Sequence, residues 1–393
     1  MNKKSIKSNT KIGLFFLILI LFFLYKDIIL IYLFKENPTL ELEIINIEKY
    51  IRKIKANIPK KSKNFYNKSL SPKISIVIPV YNGELFIKTS YLSISNQNFK
   101  DIEIIYIDDC STDNSVDLIK ELMMDDKRIE LYINQNNKGI LFTKSQGILK
   151  SKGKYVMILD QDDIYVQNDA FSTLFEVSEK DNLDILGFSA ISAYNNFSLL
   201  KKVPVHYYES KIIFQPKIRE LGHTYTSNGD IKRVNSAIWI YFFKTELFKK
   251  AVSQIDYKFY DTKMICHDDF LFFFLLSRFA EKTRSIKRIF YGYLRGSNKN
   301  YSYIKIKEGR ENSQCQSFLN YIEFILLKTN NSIVDKKIAS YELNTWFLEH
   351  KCRNNSFIQE KAKKICLLFL KNKYIEKHIK KQILDFFKSQ NKK

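Results

Sequence analysis

The sequence predicts an α/β fold: a mainly parallel sheet covered by helices, with an N-terminal membrane helix ahead of it and a helical region behind it. Three observations carry this expectation. Between Lys73 and Leu159, strongly apolar β-branched runs alternate with helical patterns, the order of βαβ units. Acidic and polar residues collect at the C-terminal ends of those runs, where open parallel sheets bind ligands. The first 34 residues contain an apolar stretch of membrane-spanning length.

That stretch, Ile12–Leu33 (IGLFFLILILFFLYKDIILIYL), is apolar apart from Lys26 and Asp27. As a helix it would be ~33 Å long, enough to cross a hydrocarbon core of ~30 Å. Each buried charge costs about 2.5–3.5 kcal/mol on insertion scales, and the wholly apolar Leu14–Phe23 offsets this. A cleaved signal peptide is the alternative, given Lys3, Lys4, Lys7 and Lys11, but no small-x-small cleavage site follows. Residues 1–34 are therefore expected to anchor the chain in a membrane. Lysines flank both ends, so the orientation stays open. Residues 35–72, amphipathic and then polar and basic, read as a stem.

From Lys73 the pattern becomes strand, helix, strand. Ile74–Val80 (ISIVIPV), Asp101–Ile107 (DIEIIYI) and Lys154–Leu159 (KYVMIL) have no polar alternation, as expected of parallel strands covered on both faces. Ser115–Met124 reads as a helix, with Thr112, Asp113 and Asn114 as capping candidates. The strands run into Tyr81-Asn82-Gly83-Glu84, into Asp108-Asp109-Cys110-Ser111-Thr112-Asp113, and into Asp160-Gln161-Asp162-Asp163.

A formal net charge of +22 would suit nucleic acid, an anionic membrane or a phosphorylated small molecule. Lysine, asparagine and isoleucine are abundant throughout, which points to compositional bias. No zinc-finger spacing or aromatic RNA-binding signature accompanies the charge, and no nucleic-acid partner is expected. The five cysteines are scattered and form no C-x-x-C pair, which argues against a structural zinc site or a disulfide framework.

A dinucleotide-binding dehydrogenase would carry G-x-G-x-x-G after the first strand. Here the turn is YNGELF, with a single glycine. A metal is another way to hold phosphates. In an extended segment Asp160 and Asp162 would project to one side while Gln161 faces away. Two hard carboxylates at a strand end suit Mg²⁺ or Mn²⁺ bridging a diphosphate. A capped loop is the plainer reading of a D-x-D taken alone.

Four motifs occur together, in order: IVIPVYNGE, EIIYIDDCSTDNS, NNKGILFTKSQGI and GKYVMILDQDD. In that order and spacing they resemble the family 2 glycosyltransferases of the GT-A fold. The likeness covers roughly Lys73 to Gly187. It implies a catalytic domain at 73–304, with a nucleotide-binding half (73–187) and an acceptor half (188–304), followed by a basic helical region at 305–393. It also implies that Pro79, Tyr81 and Glu84 line the base and ribose pocket, with Asp108 or Asp109 accepting from the base ring. Lys144 stands where the family usually carries arginine and would contact base or phosphate without the bidentate fork. Asp160 would face ribose and metal, and Asp162 would ligate the metal. Asp113 and Asn137 would lend support, with turn and cap chemistry as the alternative.

In the acceptor half, Trp239 within Ser236–Lys249 resembles a family tryptophan that would stack on a sugar, and a core position is the alternative. Cys266-His267-Asp268-Asp269-Phe270 precedes an apolar helical run. The family usually reads Glu-Asp here, with the second acid as general base. Asp269 matches that acid and Asp268 replaces the usual Glu. An acidic pair also suits a helix N-terminus, and His267 is the rival base by intrinsic pKa. Tyr291, Tyr293 and Arg295 fall where related enzymes carry a mobile segment, with Arg295 as a phosphate contact.

The resemblance implies a single in-line, inverting displacement. A nucleotide diphosphate sugar, foremost a UDP-sugar, would be the donor, and a glycan or lipid-linked glycan hydroxyl the acceptor. Two other readings stay open. A nucleotidyltransferase would need a glycine-rich basic loop after the first strand, and a carbohydrate-binding relative without activity would not need the retained carboxylates.

Overall fold

The computed structural model describes residues 38–57, 69–194, 237–262, 266–294 and 307–328, with shorter stretches around them. The chain divides into two compact units, Met1–Lys53 and Ile54–Lys393. Helix α1 (Pro38–Asn57) lies in the span read as a stem. Its buried Ile47, Ile51 and Ile54 recur at four- and three-residue spacing, which aligns them on one helical face. The expected anchor lies outside the described residues, among which no helix is long and apolar enough to cross a membrane.

The second unit begins with β1 (Ile74–Val80), α2 (Ile87–Ser95), β2 (Ile102–Asp108), α3 (Ser115–Asp125), β3 (Ile129–Ile133), α4 (Ile140–Lys150) and β4 (Tyr155–Ile158). There follow β5 (Ile164–Tyr165), α5 (Ala170–Asp181), β6 (Ile185–Tyr194), β7 (Leu199–Lys202), β8 (Ile213–Phe214), β9 (His223–Tyr225) and β10 (Ile231–Arg233). Then come β11 (Tyr241–Lys244), α6 (Thr245–Val252), α7 (Tyr257–Tyr260), α8 (Asp268–Phe279), β12 (Lys282–Leu294) and α9 (Lys307–Lys328).

Every residue of β1 and β2 is buried, which is why their sequences tolerate no polar alternation. Each Ile or Val there stabilises the fold by roughly 1.5–3 kcal/mol relative to an exposed position. Of the polar residues buried there, Ser75, Glu103 and Asp108, Ser75 donates to Glu103 Oε1 at 2.6 Å and accepts from Gly153 N at 2.9 Å, so its hydroxyl is satisfied.

Among the described residues the sheet runs β3-β2-β1-β4-β11-β6-β12-β5, with β7 on β6 and β8 on β12. The first four strands are parallel, as are β6 and β12. β11 is antiparallel to both β4 and β6, and β5 is antiparallel to β12. The expected mainly parallel sheet is therefore corrected to a mixed one. Parallel pairing needs a long crossover, which α2, α3 and α4 supply in the first half. The four residues of β11, YFFK, carry no signal of direction, and the sheet admits them antiparallel. β3 was not read from the sequence either. It is an edge strand, buried at one residue only, and its pattern is correspondingly weak.

Helix α4 packs on β1 and β2, α6 on α4, α8 on α6 and α9 on α8. This layer sets the start of α8 near Asp160, just past the C-terminal end of β4. An added Cβ at Gly147 would lie 2.2 Å from Val77 Cγ1, so glycine there lets α4 settle close onto the sheet.

Candidate active site

The first site loop follows β1. Pro79 falls past the last β1–β4 pair, Val77 opposite Ile158. Its nitrogen faces the side where that ladder has already opened, so the missing N–H costs no ladder bond. Tyr81 N donates to Gln161 Oε1 at 2.9 Å, and Gln161 Nε2 donates to Tyr81 O at 3.1 Å. The two loops are thereby locked together. An added Cβ at Gly83 would meet Gln161 Oε1 at 2.4 Å, so a larger residue there would push the Gln161 carboxamide aside. The Glu84 carboxylate accepts from Asn114 N and Asn114 Nδ2, both at 3.0 Å. Its work in the structure is to hold the start of α3. Asp113 accepts from Glu84 N and Ser115 N, each at 3.0 Å, which is turn and cap chemistry.

Asp108 and Asp109, left as alternatives by the sequence, differ sharply in their partners. Asp109 Oδ1 accepts from Asn134 Nδ2 and Lys138 N, and Oδ2 from Gly139 N, all at 2.8 Å. That carboxylate builds the loop entering α4. Asp108, 0% exposed, accepts from Ser111 N through Oδ2 at 3.0 Å, while Oδ1 has no hydrogen-bond partner among the described residues. A buried, unpaired acceptor is costly unless something completes it.

After β4 the chain turns. Asp163 N donates to Asp160 O at 3.0 Å, so Asp160–Asp163 is a tight turn. The expected extended segment, with Asp160 and Asp162 on one side and Gln161 on the other, is corrected. Gln161 is drawn toward Tyr81, which bends the backbone. The partly exposed Asp160 and Asp162 flank Gln161 on this turn. Asp163, which sequence reasoning passed over, is fully buried. Its Oδ2 accepts from Tyr291 OH and its Oδ1 from Leu294 N, both at 2.7 Å, while Asp160 N donates to Tyr291 OH at 3.2 Å. Burial, then the charges of Asp162 and Asp160, push the Asp163 carboxyl well above its usual range. The third acid of the DQDD run was the available signal.

Tyr291 thus lies inside β12 as a buried strut, a correction to its place in an expected mobile segment. Trp239 stacks on Tyr291 and Tyr293 with ring centroids 4.6 and 5.2 Å apart, and is 9% exposed. This corrects the acceptor-stacking expectation, because a platform for a sugar needs an open ring face. Arg295 lies outside the described residues.

Helix α8 begins at Asp268 with His267 as its left-handed N-cap, φ 68°. His267 Nδ1 lies 2.9 Å from Cys266 Sγ, and its ring packs on Phe270 and Phe318. Asp269 faces differently. Lys144, reaching out of α4 and 3% exposed, places its Nζ 3.0 Å from Asp269 Oδ1, 2.9 Å from Asp268 Oδ2 and 3.5 Å from Asp160 Oδ1. Lys144 donates a hydrogen bond to Asp269 Oδ1 and forms a close ion pair with Asp268. Burial pulls the Lys144 ammonium down, but the three carboxylates outweigh it and hold it well above its usual range. Burial raises the Asp269 carboxyl; Lys144 opposes this, Asp268 and Asp160 add to it, and the net is well above the ordinary carboxylate value.

Residues 75–244 match the model of the family described as glycosyl transferase family 2. The Campylobacter jejuni GalNAc(5)-diNAcBac-PP-undecaprenol beta-1,3-glucosyltransferase is 35% identical over 128 residues, 32% of this chain and 41% of that one. The Bacillus subtilis glycosyltransferase EpsJ is 31% identical over 181 residues, 46% of this chain and 50% of its own. The chain thus spans half or less of the length of these relatives. Among solved structures, S. aureus TarS 1–349 in complex with UDP-GlcNAc has a TM-score of 0.56 over 79% of this chain and 83% of its own, at 14% identity. At that identity the likeness is one of fold.

Proposed function

We propose that the chain, whose residues 75–244 match the glycosyl transferase family 2 model, moves a sugar from a UDP-sugar onto a hydroxyl of a glycan or lipid-linked glycan, inverting the anomeric centre. One observation carries this reading. Asp160, at the end of the donor-side strand β4, and Asp269, at the start of the acceptor-side helix α8, lie within 3.5 and 3.0 Å of the same ammonium, Lys144 Nζ. A donor carboxylate and a base therefore share one small site, as one in-line displacement requires.

Each residue has a stated part. The buried, unpartnered Oδ1 of Asp108 would accept an N–H of the base ring, with Pro79 and Tyr81 as walls and Glu84 holding the loop. Asp269 would take the proton of the attacking hydroxyl. Its raised proton affinity suits it, since a general base works best with a pKa nearer the operating pH. His267 is turned toward Cys266, Phe270 and Phe318. Among the described residues no three His, Cys, Asp or Glu are grouped to hold a metal. Asp160 and Asp162 fit a hard cation that takes its remaining oxygens from diphosphate and water. Mg²⁺ or Mn²⁺ held there would neutralise charge growing on the departing diphosphate.

TarS, solved with UDP-GlcNAc, supports a UDP-sugar as the proposed donor, and the name of the Campylobacter relative supports a lipid-linked acceptor. Location at a membrane belongs to the same proposal and rests on the Ile12–Leu33 run. The test is UDP release from a panel of UDP-sugars by the full chain, with Mn²⁺ and with EDTA. Metal-dependent release from at least one donor is expected. No release from any donor, or pyrophosphate release from a nucleoside triphosphate instead, would overturn the reading.

A further inference from the structure

Lys144 is held more firmly than a flexible lysine usually is. The Asp109 carboxylate fixes the entry to α4 through Lys138 N and Gly139 N at 2.8 Å, and Gly147 presses the same helix onto Val77. From that base the side chain runs to a nearly sealed point where three carboxylates from two elements meet it: Asp160 after β4, and Asp268 and Asp269 on α8. Asp268 is buried almost as deeply as the lysine, while the Asp269 side chain keeps 23% exposure. The ammonium engages one oxygen of Asp269, Oδ1, so the other is the one a hydroxyl can reach.

A lysine at this place has a chemical reason. An ammonium is a compact point charge, and here it sits among three carboxylates while donating a hydrogen bond to Asp269 Oδ1. A planar guanidinium suits a bidentate partner such as a phosphate and would not fit this convergence.

We infer that Lys144 is the positioning residue of the acceptor base, holding Asp269 aimed at the acceptor and tying it to the donor-side Asp160, rather than a contact to donor base or phosphate. The inference rests on the glycosyltransferase reading above. A displaced catalytic group costs rate without costing donor affinity, so the two roles separate in the kinetics.

The experiment uses the full chain, UDP binding by calorimetry, and hydrolysis of whichever UDP-sugar in the panel the parent turns over. Lys144→Met keeps the aliphatic stem and removes the ammonium. It should lower kcat by about 100-fold while leaving UDP affinity within about threefold of the parent. Lys144→Arg keeps the charge without the fit, and its kcat should fall between the two at unchanged UDP affinity. If circular dichroism shows that Lys144→Met does not fold, Lys144→Arg decides alone: lowered kcat with unchanged UDP affinity supports the assignment. UDP binding weakened in Lys144→Met, or tightened in Lys144→Arg at unreduced kcat, overturns it and returns Lys144 to the donor. Failure of the glycosyltransferase reading is distinguishable, because the parent would then bind and turn over no donor at all.

Discussion

Lys144 Nζ and Asp269 Oδ1 lie 3.0 Å apart although 125 residues of chain separate them. The contact joins α4, which packs on β1 and β2, to α8, which packs on α6. It makes the acidic pair at the start of α8 more than a helix cap, because an exposed cap would need no buried lysine.

The base assignment follows from that contact. Asp269→Asn preserves shape and should retain UDP binding while losing transfer by roughly 10²–10⁴-fold, the range for removing a general base. His267→Asn should cost far less, since His267 faces Cys266, Phe270 and Phe318. Single-turnover rates for both variants decide it. Lost turnover in His267→Asn with turnover kept in Asp269→Asn would make the histidine the base.

The pH profile should carry the same signature. The Asp269 carboxyl is raised by burial first, with Lys144 opposing and Asp268 and Asp160 reinforcing. A base is active when deprotonated, so activity is present above the raised pKa and lost as pH falls through it. The acid limb of kcat/KM for donor hydrolysis should therefore lie well above ~4, the ordinary carboxylate value. A limb at or below that value would refute the assignment.

Metal dependence should trace to the turn after β4. Asp162→Ala should abolish Mn²⁺-dependent turnover and leave the circular dichroism spectrum unchanged, because its partly exposed side chain is not core. Full activity in this variant, or undiminished activity of the parent in excess EDTA, would remove the cation from the mechanism.

Tyr291 supports that turn from below, donating to the buried Asp163 and accepting from Asp160 N. Tyr291→Phe leaves Asp163 Oδ2 buried without its donor and should cost about 1–3 kcal/mol in denaturant unfolding. It should also raise the Mn²⁺ concentration needed for half-maximal turnover, since Asp160 and Asp162 ride on the loosened turn. An unchanged metal requirement would show that the strut carries stability alone.

The local physics of this chain was legible without a structure. The runs ISIVIPV and EIIYI read as buried strands because covered parallel strands exclude polar alternation, and α3 and α8 begin where the capping residues and the acidic pair announce them. The four ordered motifs pointed to the family, and the match over residues 75–244 bears that out. The mixed direction of the sheet was not legible, because β11 is a short aromatic run that pairs in either sense. Nor was the turn at Asp160–Asp163, whose shape depends on Gln161 meeting Tyr81 across 80 residues.

What the sequence determined by itself, then, was which residues are chemically able to act: the carboxylates at the strand ends and at the start of α8, the lysine in α4, and the tryptophan before β11. Only the tertiary structure decided how they are employed. It committed Asp109 to a loop and left Asp108 an open oxygen, buried Trp239 against Tyr291 and Tyr293, and set Lys144 among three carboxylates. The reason is range: propensity, capping and alternation act over a few neighbouring residues, whereas burial and ion pairing depend on which distant elements the packing of α4, α6 and α8 brings together.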